Sequence, residues 1–432
     1  MACSGCKLGP KRASLAQTHG PGAAQRQKHG IVSACAYSRF SFRFSFFVFR
    51  LVTNDPTFPV IHWTEDGAAH SARWRSEAGV APPRRVVLAD DRMSADAAYR
   101  QASEGVALLW RGDFQNARQL LQAMARRIER KRRKPAATPL DAFNAHRQAQ
   151  AQRARTLGMV LIALDADYSI ALRRAPDVKQ ACIEAYGEPN GQGGEPSVVS
   201  LRELLGLIGA HEWRKKGVEI AALGARIHPY YGVFSPVRGE YVELVARAPL
   251  PSTSLAFDIG TGTGVLAALL AKRGVARIVA TDADARALAC ARENIERLGM
   301  TAQVQVCEAD LFPPGRAPLV VCNPPWLPAR PSSPIERAVY DPDSRMLRGF
   351  LDGLAAHLEP GGEGWLILSD FAEHLGLRTR EALLAMIDSA GLRVIGRDDI
   401  RPVHPKAADP DDPLHRARVA EVTSLWRLAA KS

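Results

Sequence analysis

Leu255-Ala256-Phe257-Asp258-Ile259 runs directly into Gly260-Thr261-Gly262-Thr263-Gly264, and an apolar run from Val265 to Leu270 follows without a break. Glycines at alternate positions let a backbone turn tightly and present N–H groups with no Cβ in the way. A short buried strand feeding such a turn, and the turn feeding a helix, is the opening unit of an α/β sheet that binds a ligand at its strand ends.

The rest of the carboxy-terminal half keeps that rhythm. Strands are expected at 254–257, 277–281, 303–307, 319–322 and 364–368, alternating with helices at 264–273, 284–298, 344–358 and 379–390. Two last strands, near 392–396 and 422–428, enclose a Pro/Asp-rich loop. The fold class expected is α/β: a seven-stranded, mostly parallel, Rossmann-like sheet over residues 251–432, behind an α-helical amino-terminal region.

The preceding half reads differently. Residues 1–92 are rich in Gly, Ser and Arg and lack sustained periodicity, so they are expected to be disordered, or a non-native extension ahead of a start at Met93. Residues 93–195 read as a helical region, with Ser94 as an N-cap and a break at Gly112-Asp113. Residues 196–250 read as a helical linker on the substrate side. The formal charge is +12, of which residues 1–92 carry +7 and residues 126–134 carry +6, leaving the remainder near neutral. Arg126–Lys134 is either a solvated helix end, where cations suit the dipole, or a phosphate-binding patch for RNA. No apolar run reaches the ~18 residues that cross a bilayer, and Cys3/Cys6 has no second pair at zinc-site spacing, so neither membrane nor metal is expected. A cytoplasmic location follows as the expectation.

Four elements carry the chemistry. The first is the loop itself. A dinucleotide fingerprint wants Gly or Ala where Val265 stands. Asp258, two positions before Gly260, suits an ammonium group, as on the methionine end of S-adenosyl-L-methionine. The second is Asp282, 22 residues beyond Gly260 and able to accept from vicinal ribose hydroxyls, with Asp284 beside it as a helix cap. The third is Asp310, after the third strand, where an acceptor could meet an adenine amino group. The fourth is Asn323-Pro324-Pro325-Trp326, after the fourth strand. A planar nitrogen holds its lone pair in a carbonyl or ring, so a site that methylates it must draw its hydrogens outward. The Asn323 side-chain carbonyl and the Pro324 backbone carbonyl can accept both. Two prolines stiffen that carbonyl, and Trp326 offers a flat face. Cofactor-binding candidates are therefore Asp258, Gly260, Gly262, Gly264, Asp282 and Asp310; catalytic candidates are Asn323, Pro324 and Trp326.

With these residues in view, 228–430 resembles the class I S-adenosylmethionine-dependent methyltransferases of the NPPY/NPPW type, especially the release-factor glutamine N-methyltransferases. The likeness rests on GVFSPVRGEYVELV (232–245), DIGTGTG, NPPWLP and YDPDSRMLRGFLDGL (340–354). It implies methyl transfer to a nitrogen, with Asn323 and Pro324 holding the acceptor amide. The sequence departs at 235–240, where the family usually has Pro-Arg-Pro-Glu-Thr-Glu, and at Trp326, where Tyr is more usual. Adenine-N6 and guanine-N2 methyltransferases share similar motifs, so RNA and a protein glutamine both stand as acceptors. A non-catalytic RNA- or ribosome-binding protein on the same fold, and a nicotinamide oxidoreductase, are the competing classes.

Overall fold

The computed structural model describes residues 58–130, 136–189, 194–237, 239–403 and 409–431. Residues 1–57 and Lys131–Lys134 of the basic run lie outside them.

The amino-terminal half is built on a sheet, which corrects the expected helical region. A hairpin pairs β1 (Val60–Glu65) with β2 (Ala68–Arg75). Its two-residue turn, Asp66-Gly67, has positive φ at both positions, the geometry whose twist matches the flanking strands. There follow β3 (Arg85–Ala89), α1 (Ala95–Ser103), β4 (Val106–Trp110), α2 (Phe114–Glu129), α3 (Pro139–Leu157), β5 (Val160–Leu164), α4 (Lys179–Tyr186), β6 (Ser197–Ser200) and α5 (Leu201–Lys216). The strands form a six-stranded sheet in the order β1-β2-β6-β5-β4-β3. Residues 58–92 are thus three strands of a sheet rather than part of a disordered extension, and the boundary expected at Met93 falls inside it. Ser94 does cap α1, accepting the Ala97 N–H. The run Val106–Trp110, read as helix, is a strand. Gly105 turns the chain at φ +78°, and four of the five residues are buried because both faces of the strand are covered. A short apolar run of that kind carries no periodicity to separate strand from helix.

A small hairpin, β7 (Val218–Ile220) and β8 (Ala225–Ile227), and helix α6 (Glu240–Arg247) lead into the second sheet. Its elements are β9 (Leu255–Ile259), α7 (Val265–Lys272), β10 (Arg277–Asp282), α8 (Ala285–Arg297), β11 (Val304–Glu308), β12 (Ala317–Cys322), α9 (Arg345–His357), β13 (Leu358–Ser369), α10 (Phe371–His374), α11 (Arg380–Ser389), β14 (Leu392–Ile400), α12 (His415–Ala420) and β15 (Thr423–Ala430). The order is β11-β10-β9-β12-β13-β15-β14. The first five strands run parallel, and β15 lies antiparallel to both of its neighbours. The sheet is therefore mixed. Each face is covered by its own apolar layer, one around α6 and α7 and the other around α9 and α11.

One property of this order positions the site. From β9 the chain steps outward through β10 and β11, then returns to place β12 on the other side of β9. The carboxyl ends of β9 and β12 flank that reversal, where the loops leave in opposite directions and a crevice opens.

The two sheets are tied by polar contacts. Arg286 of α8 donates to Glu77 (2.9 Å) and to the Ala185 carbonyl (2.9 Å). Arg214 of α5 bridges Glu184 and Glu293.

Candidate active site

A cavity of about 860 Å³ lies at the reversal point. Gly260 and Gly262 line it from the loop after β9, Asp282 from the end of β10, and Asn323, Pro324 and Trp326 from the end of β12. Six of the nine candidates read from the sequence thus meet in one space.

The glycine loop is left-handed at all three glycines, with φ of +70°, +55° and +80° at Gly260, Gly262 and Gly264. At Gly262 an added Cβ would meet nothing within 4 Å, so the backbone faces open space on the ligand side. Gly264 does other work. It caps α7, and an added Cβ would lie 3.4 Å from Ala291 of α8, so its smallness lets two helices pack closely.

Asp258 is buried and does not line the cavity. Its Oδ2 accepts from the Thr261 hydroxyl (2.6 Å) and the Ala267 N–H (3.1 Å), stitching the loop to the first turn of α7. Burial pushes this carboxyl up to about 6, the two donors pull it back, and the Asp282 charge adds to the rise. The structure makes Asp258 a brace of the loop rather than a wall of the pocket.

Asp282 is held by its backbone neighbours. Oδ2 accepts the Gly262 N–H (3.0 Å) and Oδ1 the Asp284 N–H (3.0 Å). Burial raises its pKa, and these N–H groups oppose the rise. Each oxygen keeps lone-pair capacity toward the cavity. Asp284 caps α8 through the Arg286 and Ala287 N–H groups, the role expected of it. Asp310 is not brought to the cavity. It sits exposed and pairs with Arg345 at 3.2 Å.

At the end of β12, the Trp326 indole N–H donates to the Asn323 side-chain oxygen at 2.9 Å. This contact, invisible in the sequence, fixes which way the Asn323 amide points while leaving the oxygen able to accept a second hydrogen. The Trp326 ring packs against the apolar layers on both faces of the sheet, so the donor is anchored.

Sequence reasoning named no candidate in a further part of the lining. Phe143 and His146 of α3, Tyr340, Phe371 and Arg418 also line the cavity. Phe143 and His146 come from the amino-terminal half; no motif marks them, because their role arises only when α3 docks.

The topology brings the open glycine loop and the Asn-Pro-Pro-Trp turn to one cavity at the carboxyl ends of the parallel strands. In comparison with known proteins, residues 227–380 match the methyltransferase small domain family. The chain is 31% identical over 169 residues to a release factor glutamine methyltransferase of Cereibacter sphaeroides, covering 36% of this chain and 58% of that protein. It is 35% identical over 146 residues to a ribosomal protein L11 methyltransferase of Pelotomaculum thermopropionicum, covering 33% and 39%. It is 29% identical over 144 residues to a tRNA1(Val) (adenine(37)-N6)-methyltransferase of Shewanella loihica, covering 31% and 59%. The chain therefore spans between 39% and 59% of the length of these relatives.

The residues fit S-adenosylmethionine, the cofactor expected from the sequence. Gly262 leaves a cradle that a Cβ would fill, and Asp282 offers a preorganised carboxylate suited to paired hydroxyls.

Proposed function

We propose that this protein is an S-adenosylmethionine-dependent N-methyltransferase acting on a planar nitrogen, amide or exocyclic amine, of a macromolecule of the translation apparatus. The observation that carries the reading is the placement of Asn323-Pro324-Pro325-Trp326 across the reversal point from the open glycine loop, with both lining one cavity. The relatives support the translation context: their acceptors, by name, are a release factor, a ribosomal protein and a tRNA.

S-adenosylmethionine supplies an electrophilic methyl group when bound. This chain's part is to hold and orient. Gly260 and Gly262 bring backbone against the ligand, and Asp282 accepts from it. Asn323, its carbonyl held by the Trp326 N–H, accepts one hydrogen of the acceptor nitrogen, and the Pro324 carbonyl accepts the other. Preorganised acceptors of this kind strengthen as positive charge develops on the nitrogen, and alignment supplies much of the remaining rate. Asp258 and Gly264 act at one remove, by keeping the loop in shape.

Asn323→Ala is expected to lower turnover by about 100- to 1,000-fold, the scale of losing one preorganised hydrogen-bonding group. Cofactor affinity should stay within a few-fold, read by calorimetry beside transfer of a tritiated methyl group. Loss of cofactor binding together with activity would contradict the assignment. A protein that binds cofactor yet transfers no methyl group to any nitrogen would instead be a non-catalytic binder on this fold.

A further inference from the structure

Asn323 hangs on a backbone that local structure supports only in part. Pro324 and Pro325 stiffen the chain as it leaves β12. The connection onward to α9 then runs through residues 326–344 and contains two 3₁₀ turns, Pro334–Ala338 and Pro342–Ser344. It closes on Asp343 and Ser344, adjacent non-glycine residues at φ +57° and +55°, a geometry that persists where the surroundings fix it. Its internal bonds gather at Leu327, the residue after Trp326. The Leu327 N–H donates to the Val339 carbonyl (3.1 Å), and the Leu327 carbonyl accepts the Asp341 N–H (2.8 Å). Tyr340, between those two partners, pairs with Leu327 as a parallel bridge. Asp341 also accepts the Met346 and Leu347 N–H groups at 3.1 Å each, so it sets where α9 begins. The position of 339–341 therefore fixes the exit of the Asn-Pro-Pro-Trp turn, and with it the Trp326 indole that aims Asn323.

What holds 339–341 comes from the amino-terminal half, outside the family-matched residues 227–380. Arg147 of α3 donates through Nη1 to Glu336 (3.0 Å) and through Nη2 to the Arg330 carbonyl (2.6 Å). Its guanidinium lies 4.0 Å over the Tyr340 ring. Glu336 in turn accepts the Ser332 N–H (2.8 Å) and hydroxyl (2.7 Å), so a single guanidinium closes the excursion from 330 to 340 on itself. Phe143, one turn earlier on the same face of α3, packs with Leu327 in an apolar cluster separate from the layers that cover the sheet. Resting on the N-methyltransferase reading above, we infer that Arg147 is a positioning residue of the reaction. It is a clamp from the amino-terminal half that holds the connection after Trp326 and so keeps the Asn323 carbonyl at its accepting angle. Arginine suits the task. Its planar fork donates in two directions while its face covers a ring, which the ammonium of lysine cannot do. The action runs through Tyr340, Leu327 and Trp326, and it is the same for any planar nitrogen presented to Asn323. A shift of about 1 Å in a hydrogen-bonding group costs on the order of 100-fold in rate, so a remote clamp has leverage on turnover.

The test compares the full chain with Arg147→Gln and Arg147→Lys. Hydrogen exchange read by mass spectrometry needs no acceptor. Arg147→Gln should speed exchange at 327–341 by about tenfold, the scale of losing one hydrogen bond to a charged group. Exchange in the glycine loop, and S-adenosylmethionine affinity by calorimetry, should stay as in the parent. Arg147→Lys, which keeps the charge without the fork, should fall between the two. Turnover is then read with a tritiated methyl group on a release factor, ribosomal protein L11 and bulk tRNA, the acceptors that the relatives' names give. On whichever of these the parent labels, Arg147→Gln should lower kcat by about 10- to 100-fold with a smaller change in KM. Added to Asn323→Ala it should cost little more, because both changes act on one group. A merely structural tie would add its loss in full to that of Asn323→Ala, or would speed exchange across both sheets. Either result would overturn the clamp, as would unchanged exchange at 327–341. A parent that binds no S-adenosylmethionine would instead bring down the N-methyltransferase reading, and the positioning role with it, whatever the exchange shows.

Discussion

The two sheets use the same device to different ends. In both, parallel strands finish on aspartates that precede a helix. In the first sheet those carboxylates are consumed by the protein's own groups. Asp91 accepts the Asp113 N–H (2.9 Å), Asp113 caps α2 and accepts from Arg174 (2.7 Å), and Asp167 pairs with Lys179 (2.6 Å). The one glycine in that turn, Gly112, has no room, because an added Cβ would run into Asp91. In the second sheet the loop after β9 leaves Gly262 facing open space and Asp282 facing a cavity. A strand-end carboxylate is therefore not enough by itself; Asp282 differs in having a cavity and the open backbone of Gly262 beside it.

That contrast can be broken by exchanging the consequences. Gly262→Val adds a branched side chain on the cavity side at φ +55°, a conformation that costs on the order of 1–2 kcal/mol for a side chain. Cofactor affinity should fall by tenfold or more in calorimetry. Gly112→Val should instead lower the melting temperature and leave the affinity of the folded fraction unchanged. Equal effects of both on binding would erase the distinction.

A smaller effect isolates the hydrogen bond that orients Asn323. Trp326→Phe keeps an aromatic body and deletes the indole N–H. A loss of about 0.5–1.5 kcal/mol predicts a two- to tenfold fall in kcat with cofactor affinity unchanged. An unaltered kcat would mean that Asn323 needs no such support.

The effect furthest from the chemistry is on the pH dependence of stability. Because burial lifts Asp258 to about 6, the folded chain holds a proton there that the unfolded chain, near 3.8, has released. The folded state thus binds more protons across that window, and the contribution of Asp258 to stability falls as pH rises from about 4 to about 6. Asp258→Asn should remove that fall, so that the parent loses stability relative to the variant over the window in denaturant titrations. An invariant difference between the two proteins would show that Asp258 does not titrate there.

The second sheet was largely legible in the sequence because its parallel strands end in distinctive loops and α8 and α9 carry clear apolar stripes. The glycine loop, Asp282 and the Asn-Pro-Pro-Trp turn, which line one cavity, were legible as candidates for the same reason: each is local in sequence. Three things were not. Val106–Trp110 and Val160–Leu164 are too short and too uniformly apolar to declare themselves strands, which hid the first sheet. Asp258 and Asp310 stand where ligand contacts are expected, but the first is turned inward by Thr261 and Ala267, and the second is carried outward to Arg345. Phe143 and Arg147 reach the cavity wall across some 180 residues of sequence, a distance no local pattern records.

The most direct test of the central claim is a calorimetric titration of the full chain with S-adenosylmethionine and, in parallel, NADH. Saturable binding of one equivalent of S-adenosylmethionine, with none of NADH, is the predicted result. A folded protein that binds NADH, or that binds no S-adenosylmethionine, would contradict it.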